Sequence, residues 1–400
     1  METALLDWLN LGARLLHVVA AIAWIGASFY FVWLDNSLQP PPDDKRERGV
    51  AGDLWAIHGG GIYEVAKYRL APPRMPQTLH WFKWEAYTTW LSGGLLMFLL
   101  YYLQARLYLL GGPWIDAPGQ AIAASVALLV GTLALYEIAL RTPLRGRPAL
   151  FAVFVLLLST LLAWLAVHLF AARAAWLHVG AALATIMAAN VFLGIIPSQK
   201  RFVAAVAEGR EPDGDLAALA KLRSTHNNYL TLPVLFCMIS NHYPALYGHP
   251  YGWQLLIAIS AVLAWTRHFF NLRNQGIVRP SIPISAAVAM VLIFVAAAFA
   301  TGQSSAPARA AATDAVLDDG AAMALVARHC TVCHAAAPTQ PGFVAPPGGH
   351  LFETLEQVRT RATLMSTSVA SGYMPLGNLT GLEPAERTAL TTWLGSLSAP

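Results

Sequence analysis

Long apolar runs separated by short polar segments fill the first three quarters of the chain. A helix needs about 20 mostly apolar residues to cross a bilayer. The pattern therefore predicts eight transmembrane helices, at residues 11–34, 86–109, 121–140, 149–170, 175–196, 229–247, 253–271 and 281–300. The sixth run is the least regular, because Pro233 and the polar residues 240–242 interrupt it.

Two of the predicted helices carry similar sequences. Residues 16–27 align with residues 177–188 at 8 of 12 positions, and the alignment pairs His17 with His178. Four of the identities are Ala, which is common in membrane helices, so these four positions are weak evidence for a repeat. Because both helices have the same predicted direction, the repeat favours two parallel four-helix halves related by an axis along the membrane normal.

Composition fixes the class of protein. Of the 400 residues, 56% are hydrophobic and only 12% are charged, whereas soluble domains carry about 25% charged residues. Ordinary soluble enzymes, disordered chains and fibres are excluded, and an integral membrane protein is expected. Residues 1–313 hold 22 Lys and Arg against 15 Asp and Glu, while residues 314–400 hold 4 against 7. We predict an all-α chain with a polytopic membrane bundle at 1–300, a linker at 301–313 and a distinct domain at 314–400.

The distribution of basic residues predicts the orientation of the bundle. The segments 35–85, 141–148, 197–228 and 267–280 together carry 18 Lys and Arg. The intervening loops at 110–120, 171–174 and 248–252 carry one, Arg173. Since cytoplasmic loops are enriched in Lys and Arg, the first set is predicted to be cytoplasmic. The N-terminus and the C-terminal domain then lie on the opposite, periplasmic side.

The C-terminal domain contains a Cys-x-x-Cys-His motif formed by Cys330, Cys333 and His334. This is the attachment motif of a c-type heme, whose axial ligand is the histidine. Met374 stands where small class I cytochromes c place their second axial ligand, and the alternative is that it is only a core residue. A zinc or redox cysteine pair is the alternative, but the sequence has no second pair to complete a zinc site. The motif therefore predicts a class I cytochrome c domain with covalent heme c, an assignment that agrees with the periplasmic orientation.

Several histidines lie at predicted membrane depth, where ionisable groups are functional candidates. His17, His178 and His242 fall near the predicted outer side, and the repeat favours His17 and His178 as ligands of a b-type heme. His226 lies 16 residues before His242, or about 24 Å along a helix. Histidines near both ends of a membrane helix can hold two b hemes in series, so one or two b hemes are expected. The alternative is that each histidine only hydrogen-bonds a neighbouring carbonyl group.

The predicted cytoplasmic rim is rich in polar and aromatic residues. We predict a site formed by Glu85, His226, Asn227, Asn228 and Arg267. A cation, amide edges and flat aromatic rings suit a planar, anionic, hydrogen-bonding heterocycle. The alternative is a basic rim with interfacial aromatic residues, which accounts less well for consecutive asparagines.

Three strings resemble a known family. Residues 59–68, 82–93 and 224–233 are similar to the bacterial membrane-bound, cytochrome c-type urate oxidases. That family couples an eight-helix membrane domain to a C-terminal cytochrome c, so the resemblance covers essentially the whole chain. Residues 16–30 are also similar to the first helices of bacterial membrane heme proteins and copper-resistance proteins, a likeness that supports His17 as a heme ligand.

The resemblance implies oxidation of urate to 5-hydroxyisourate in the bacterial inner membrane. Electrons would pass by way of heme to the fused cytochrome c, and then to a soluble cytochrome c or a terminal oxidase, without direct reduction of oxygen to peroxide. Glu85 or His226 would accept a proton as water adds to the purine. The expected partners are urate, the bilayer and the respiratory chain, and no nucleic acid.

Two alternatives come from other functional classes. A non-catalytic subunit that takes electrons from quinol or a dehydrogenase would use the same histidines and heme c but would need no purine site. A copper or heme transporter would need no tethered cytochrome.

Overall fold

A computed structural model of the protein describes residues 2–304, 317–340, 343 and 345–397. Helices make up most of this part of the chain. Those before residue 305 are α1 Glu2–Ser37, α2 Asp43–Glu47, α3 Trp84–Met97, α4 Ala105–Tyr108, α5 Pro118–Leu140, α6 Pro148–Leu169, α7 Ala172–Ala189, α8 Ile196–Ala207, α9 Gly214–Ile239, α10 Pro244–Tyr247, α11 Gly252–Asn274 and α12 Ser281–Ser304.

Six helical stretches of the described chain are long and apolar enough to cross a membrane. They are Leu5–Ser37, Pro118–Leu140, Pro148–Leu169, Ala172–Ala207, Gly252–Asn274 and Ser281–Ala300. Each coincides with one of the eight predicted helices. Their outer faces expose large apolar side chains such as Trp8 and Phe294, and exposed contiguous apolar surface of this kind is what lipid contact requires.

The two remaining predicted helices are less regular. At 86–109, α3 is short and continues into a π-helical turn, Phe98–Tyr102, before α4. At 229–247, α9 starts far earlier than predicted, within a polar segment, and ends at Ile239. Pro233 lies inside α9 without ending it. The eight-helix arrangement therefore stays a prediction beyond the six stretches above.

The centre of the bundle is α7, which contacts α3, α5, α6, α9 and α11. Its small residues allow close packing, and Ala174, Ala175 and Ala182 have no exposed surface. By contrast, α1 packs mainly along α3 and exposes most of its large apolar residues. The helices related by the sequence repeat thus have different surroundings, and the two-half arrangement stays a prediction.

A β-hairpin follows α1 and was not predicted. Strands β1 Val50–His58 and β2 Gly61–Tyr68 pair in antiparallel register, with Ile57 opposite Ile62. The two-residue loop is Gly59-Gly60, and both glycines have positive φ, as tight hairpin turns require. The prediction of an all-α chain holds for the bundle and the C-terminal domain but omits this hairpin.

The C-terminal domain is helical around its own core. Its helices are α13 Asp319–His329, α14 Leu355–Thr360, α15 Ala362–Ala370 and α16 Pro384–Leu397. The core joins Val326, Leu390 and Leu394, which are fully buried. The Trp393 indole N–H donates to Asp319 Oδ1 at 2.9 Å and ties α16 to the start of α13. Most of the predicted linker, residues 305–313, lies outside the described residues.

Candidate functional site

The C-terminal domain holds a cavity of about 320 Å³. Cys330, Cys333, His334 and Met374 all line it. The motif follows α13 directly in a tight turn, in which the backbone N–H of His334 donates to the carbonyl of Cys330 at 2.8 Å. Residues far apart in the sequence thus meet at one cavity, and their role as heme ligands stays a prediction.

The geometry of His334 suits an axial ligand. Its Nδ1 lies 3.0 Å from the carbonyl oxygen of His350 and donates to it. This bond leaves Nε2 for a metal, which is the second-shell arrangement typical of ligating histidines. Burial lowers the pKa of His334 and favours the neutral ring that a metal needs. On the other side, Arg387 donates to the carbonyl oxygens of Val369 and Met374, both at 2.6 Å, and fixes the methionine loop.

The two cysteines line this cavity as thiols. Burial raises the pKa of Cys330 to about 12 and raises that of Cys333. Among the described residues, no group of three or more His, Cys, Asp or Glu is placed to hold a metal ion. The cavity, the free imidazole nitrogen and the methionine fit a covalently attached heme with two axial ligands.

The predicted b-heme histidines have different environments. His17 Nδ1 lies 3.0 Å from the Thr89 carbonyl oxygen and 3.1 Å from Ser92 Oγ. Within the described residues its Nε2 has no hydrogen-bond partner, which leaves that atom free for a ligand. His242 is exposed, at the end of the turn Ser240–His242.

Both ring nitrogens of His178 are engaged. Nδ1 lies 2.7 Å from the carbonyl oxygen of Ala174, and Nε2 lies 2.7 Å from Ser125 Oγ. The ring has no exposed surface and stacks on Phe170 with centroids 4.3 Å apart. A metal at Nε2 would have to replace Ser125 as the partner of this nitrogen. Heme ligation by His17, His178 and His242 stays a prediction.

Two buried polar clusters flank α9. The first, the Arg223 cluster, links α5, the turn after α7, and α9; its members are Tyr136, Glu137, Asn190, Arg223, His226 and Asn227. The Arg223 guanidinium pairs with both carboxylate oxygens of Glu137, at 2.5 and 2.8 Å. It also donates to Asn190 Oδ1 at 2.9 Å.

Asn190 is the centre of the Arg223 cluster. Its Nδ2 donates to the Tyr136 hydroxyl at 3.0 Å and to Asn227 Oδ1 at 2.8 Å. The Tyr136 hydroxyl in turn is hydrogen-bonded to His226 Nδ1 at 2.7 Å. Asn227 Nδ2 donates to the carbonyl of Met187 at 2.9 Å. Both ends of the Asn227 amide are therefore satisfied by the protein itself.

The backbone makes room for the Arg223 cluster at Gly194. A Cβ at this position would lie 2.1 Å from Arg223 Cδ and 2.5 Å from its Nε. Gly194 belongs to the π-helical turn Asn190–Ile195, which also presents Asn190. Turns of this kind inside α-helices are often found at functional sites.

The second cluster, the Arg267 cluster, lies between α1, α9 and α11. Phe29, Asn228 and Arg267 are in contact, and Asn271 stands one helical turn after Arg267 on α11 and is counted with them. Arg267 Nε donates to Asn228 Oδ1 at 2.9 Å, and the guanidinium carbon lies 3.8 Å from the centroid of the Phe29 ring. Asn228 Nδ2 and Asn271 Oδ1 are buried, and neither has a hydrogen-bond partner in the described part of the protein. This cluster offers an unused amide donor and an unused amide acceptor beside a cation.

Glu85 has an unpaired buried oxygen of the same kind. Its Oε2 is buried and has no hydrogen-bond partner among the described residues. Glu85 stands in the first turn of α3, which packs along α1, the helix that supplies Phe29. Unpaired buried polar atoms are uncommon in native proteins and each calls for an explanation, such as a ligand.

The five residues predicted for one rim site thus divide into two groups. Asn228 and Arg267 are in direct contact, with Glu85 on the neighbouring helix pair, while His226 and Asn227 belong to the Arg223 cluster. Sequence reasoning missed Tyr136, Glu137, Asn190 and Arg223. The signal for Glu137 was present, because a carboxylate inside an apolar run is a functional candidate.

The membrane part of the chain matches a known family. Residues 3–298, about three quarters of the chain, match the family described as urate oxidase N-terminal. The chain belongs to this family. The matched region contains both polar clusters, whereas the cavity-bearing C-terminal domain lies beyond it. Membership supports an oxidoreductase with urate as substrate. Comparisons with curated proteins and with solved structures found no match.

Proposed function

We propose that this protein is an integral membrane urate oxidase whose electron acceptor is its own cytochrome c domain. The family match over residues 3–298 supports the urate chemistry. One observation supports the transfer of electrons to a cytochrome domain: Cys330, Cys333, His334 and Met374 line a single cavity. Further electron transfer would go to a soluble cytochrome c or a terminal oxidase, without direct reduction of oxygen to peroxide.

The Arg267 cluster is the proposed urate site. Urate is a planar anion whose edge alternates N–H and C=O groups. The guanidinium of Arg267 supplies the opposite charge, the free Asn228 Nδ2 supplies a donor, and the free Asn271 Oδ1 supplies an acceptor. Because these groups are buried, leaving them without a hydrogen-bond partner costs free energy, and a ligand that pairs with them recovers that cost.

Glu85 is the proposed proton acceptor. The reaction is urate plus water to 5-hydroxyisourate, two electrons and two protons. A carboxylate with one buried, unpaired oxygen is suited to take a proton from the attacking water. His226 is the other candidate, but its Nδ1 is already hydrogen-bonded to the Tyr136 hydroxyl, so we assign it to holding the Arg223 cluster in place.

Cys330, Cys333, His334 and Met374 would hold heme c, which supplies one-electron acceptance when bound. His17, with its free Nε2, is the best placed of the residues proposed for b-type heme, and His178 and His242 are its proposed companions. The proposed membrane topology has eight spans, with α3 and α9 added to the six apolar stretches. The basic loops and the Arg267 cluster are then cytoplasmic, and the N-terminus and C-terminal domain are periplasmic, in a bacterial inner membrane.

The test is to add urate to anaerobic membranes that contain the protein and to record the reduced c-type absorption band. We expect the band to appear with urate and to be lost in the Cys330→Ala/Cys333→Ala variant. A band that appears with quinol but not with urate would instead support the non-catalytic electron-transfer subunit.

A further inference from the structure

The cavity of the C-terminal domain is not closed by that domain alone. Three residues of the membrane part also line it: Tyr108 of α4, Arg173 of α7 and Pro244 of α10. The contact is close, since a Cβ at Gly377 would lie 2.8 Å from the carbonyl oxygen of Arg106. A Cβ at Gly248 would likewise lie 2.6 Å from Ser371 Cβ. The membrane part therefore forms one wall of the cavity.

Arg173 is the charged residue of this wall. Among the described residues that line the cavity, it is the only Lys, Arg, Asp or Glu. It is also the one Lys or Arg in the three loops predicted to lie outside the cytoplasm. Such loops avoid Lys and Arg, so a cation retained there needs a reason.

The partners of Arg173 are all uncharged. Its Nε donates to Asn241 Oδ1 at 3.2 Å, and the titratable groups that interact with it include the hydroxyl groups of Tyr101, Tyr247 and Tyr373. No ion pair with a carboxylate is formed by Arg173 within the described residues. A partly buried cation without an anion pays a desolvation cost that a bound anion would offset.

We propose that Arg173 pairs with an acidic group of the molecule bound in this cavity, which for a heme is a propionate. The inference rests on the proposed function, because it takes heme c as the occupant. The membrane part then contributes directly to the electron acceptor, and docking of the two parts sets the charge around it.

A positive charge beside the occupant stabilises its reduced, less positive form, so removing it lowers the midpoint potential. The experiment is a redox titration of heme c in the purified full-length chain. In Arg173→Gln we expect the ratio of reduced to oxidised heme c at the wild-type midpoint to fall roughly tenfold, which is ~59 mV for one electron. Arg173→Lys, which keeps the charge, should shift less.

The matched control is Arg106→Gln, because Arg106 is exposed on α4 beside the cavity but does not line it. Its midpoint should equal that of the wild type. An unchanged midpoint in Arg173→Gln, or an equal shift in Arg106→Gln, would overturn the proposal. If Arg173→Gln does not accumulate, Asn241→Ala tests the same contact, with a smaller shift in the same direction expected and no shift overturning it.

The two proposals fail separately. A wild-type chain without a c-type absorption band would remove heme c and with it both proposals. A chain that holds heme c but does not respond to urate would overturn urate oxidation and leave the potential measurement valid. Heme c with normal urate reduction and a midpoint insensitive to Arg173 would overturn this inference alone.

Discussion

Two adjacent asparagines are expected to respond in opposite ways to the same substitution. Asn227 has both ends of its amide paired, to Asn190 and Met187, whereas Asn228 pairs only its oxygen, to Arg267. Replacing each with Asp keeps the size and the acceptor oxygen and removes the N–H donors. The substitution therefore isolates the donor, which serves the fold at Asn227 and is unused at Asn228.

In Asn228→Asp the contact with Arg267 survives, and only the free donor and the cluster's net positive charge are lost. A buried polar group left unpaired costs about 1–3 kcal/mol, which at 1.4 kcal/mol per decade is a roughly 5- to 150-fold loss of urate binding. The thermal stability of the protein should be retained, because a carboxylate beside Arg267 makes a favourable pair.

In Asn227→Asp a carboxylate oxygen faces the carbonyl oxygen of Met187, which loses its donor. The expected cost, about 1–3 kcal/mol, falls on folding. The midpoint of thermal aggregation should drop, with no selective change in the KM for urate in the protein that remains folded.

Both variants are assayed for urate-dependent reduction of heme c and for thermal aggregation by size-exclusion chromatography after heating. Heme content is measured in parallel. An unchanged KM in fully loaded Asn228→Asp would refute the site assignment. A raised KM in stable Asn227→Asp would show instead that the Arg223 cluster binds substrate.

Four further variants test separate parts of the structure. Met374→Ala should lose the near-infrared sulfur–iron band while heme stays covalently attached, and a retained band would place the axial ligand elsewhere. His17→Ala should lose non-covalent heme that acid acetone extracts, and unchanged extractable heme would exclude this residue as a ligand. Gly194→Ala puts a Cβ 2.1 Å from Arg223 Cδ. We expect this strain to reduce the free energy of unfolding by about 1–3 kcal/mol and so to lower the thermal midpoint. An unchanged midpoint would show that Arg223 moves freely. A backbone N–H donor holds the pKa of Glu386 below its usual range, so the stability that the Glu386 carboxylate contributes should be lost as pH falls through that lowered pKa. Glu386→Gln should flatten this dependence of stability on acid pH. The same dependence in Glu386→Gln and the wild type would contradict the reasoning.

Elements set by local pattern were predictable from the sequence. Long apolar runs gave the six stretches that can span a membrane, and the Cys-x-x-Cys-His motif with Met374 marked residues that line one cavity. The hairpin β1–β2 was missed although its Gly59-Gly60 loop is a strong turn signal, because strands of eight and nine residues are too short to stand out as apolar runs. The start of α9 at Gly214, well before the predicted helix 229–247, was also missed, because its first turns are polar and the prediction followed apolar runs.

The division of the rim residues could not be predicted, because it depends on which helices surround α9. Successive residues of a helix point about 100° apart, so three consecutive residues face three directions. His226 contacts Tyr136 of α5, Asn227 contacts the end of α7, and Asn228 contacts Arg267 of α11. The spacing of the three residues along α9 gives the angles between their side chains, but it does not show which helix lies in each direction.

The same geometry bears on the chemistry of the enzyme. His226 and Asn228 are two positions apart, about 200° around α9, so a substrate held by Asn228 lies on the side of the helix away from His226. A proton acceptor for that substrate has to come from the α1, α3 and α11 side, where Glu85 has a buried oxygen without a partner. The ion pair of Arg223 with Glu137 then serves to fix α9 against α5. In this arrangement one face of α9 is joined to α5 through Arg223 and Glu137, and the opposite face carries the unpaired Asn228 Nδ2 that the proposed substrate would satisfy.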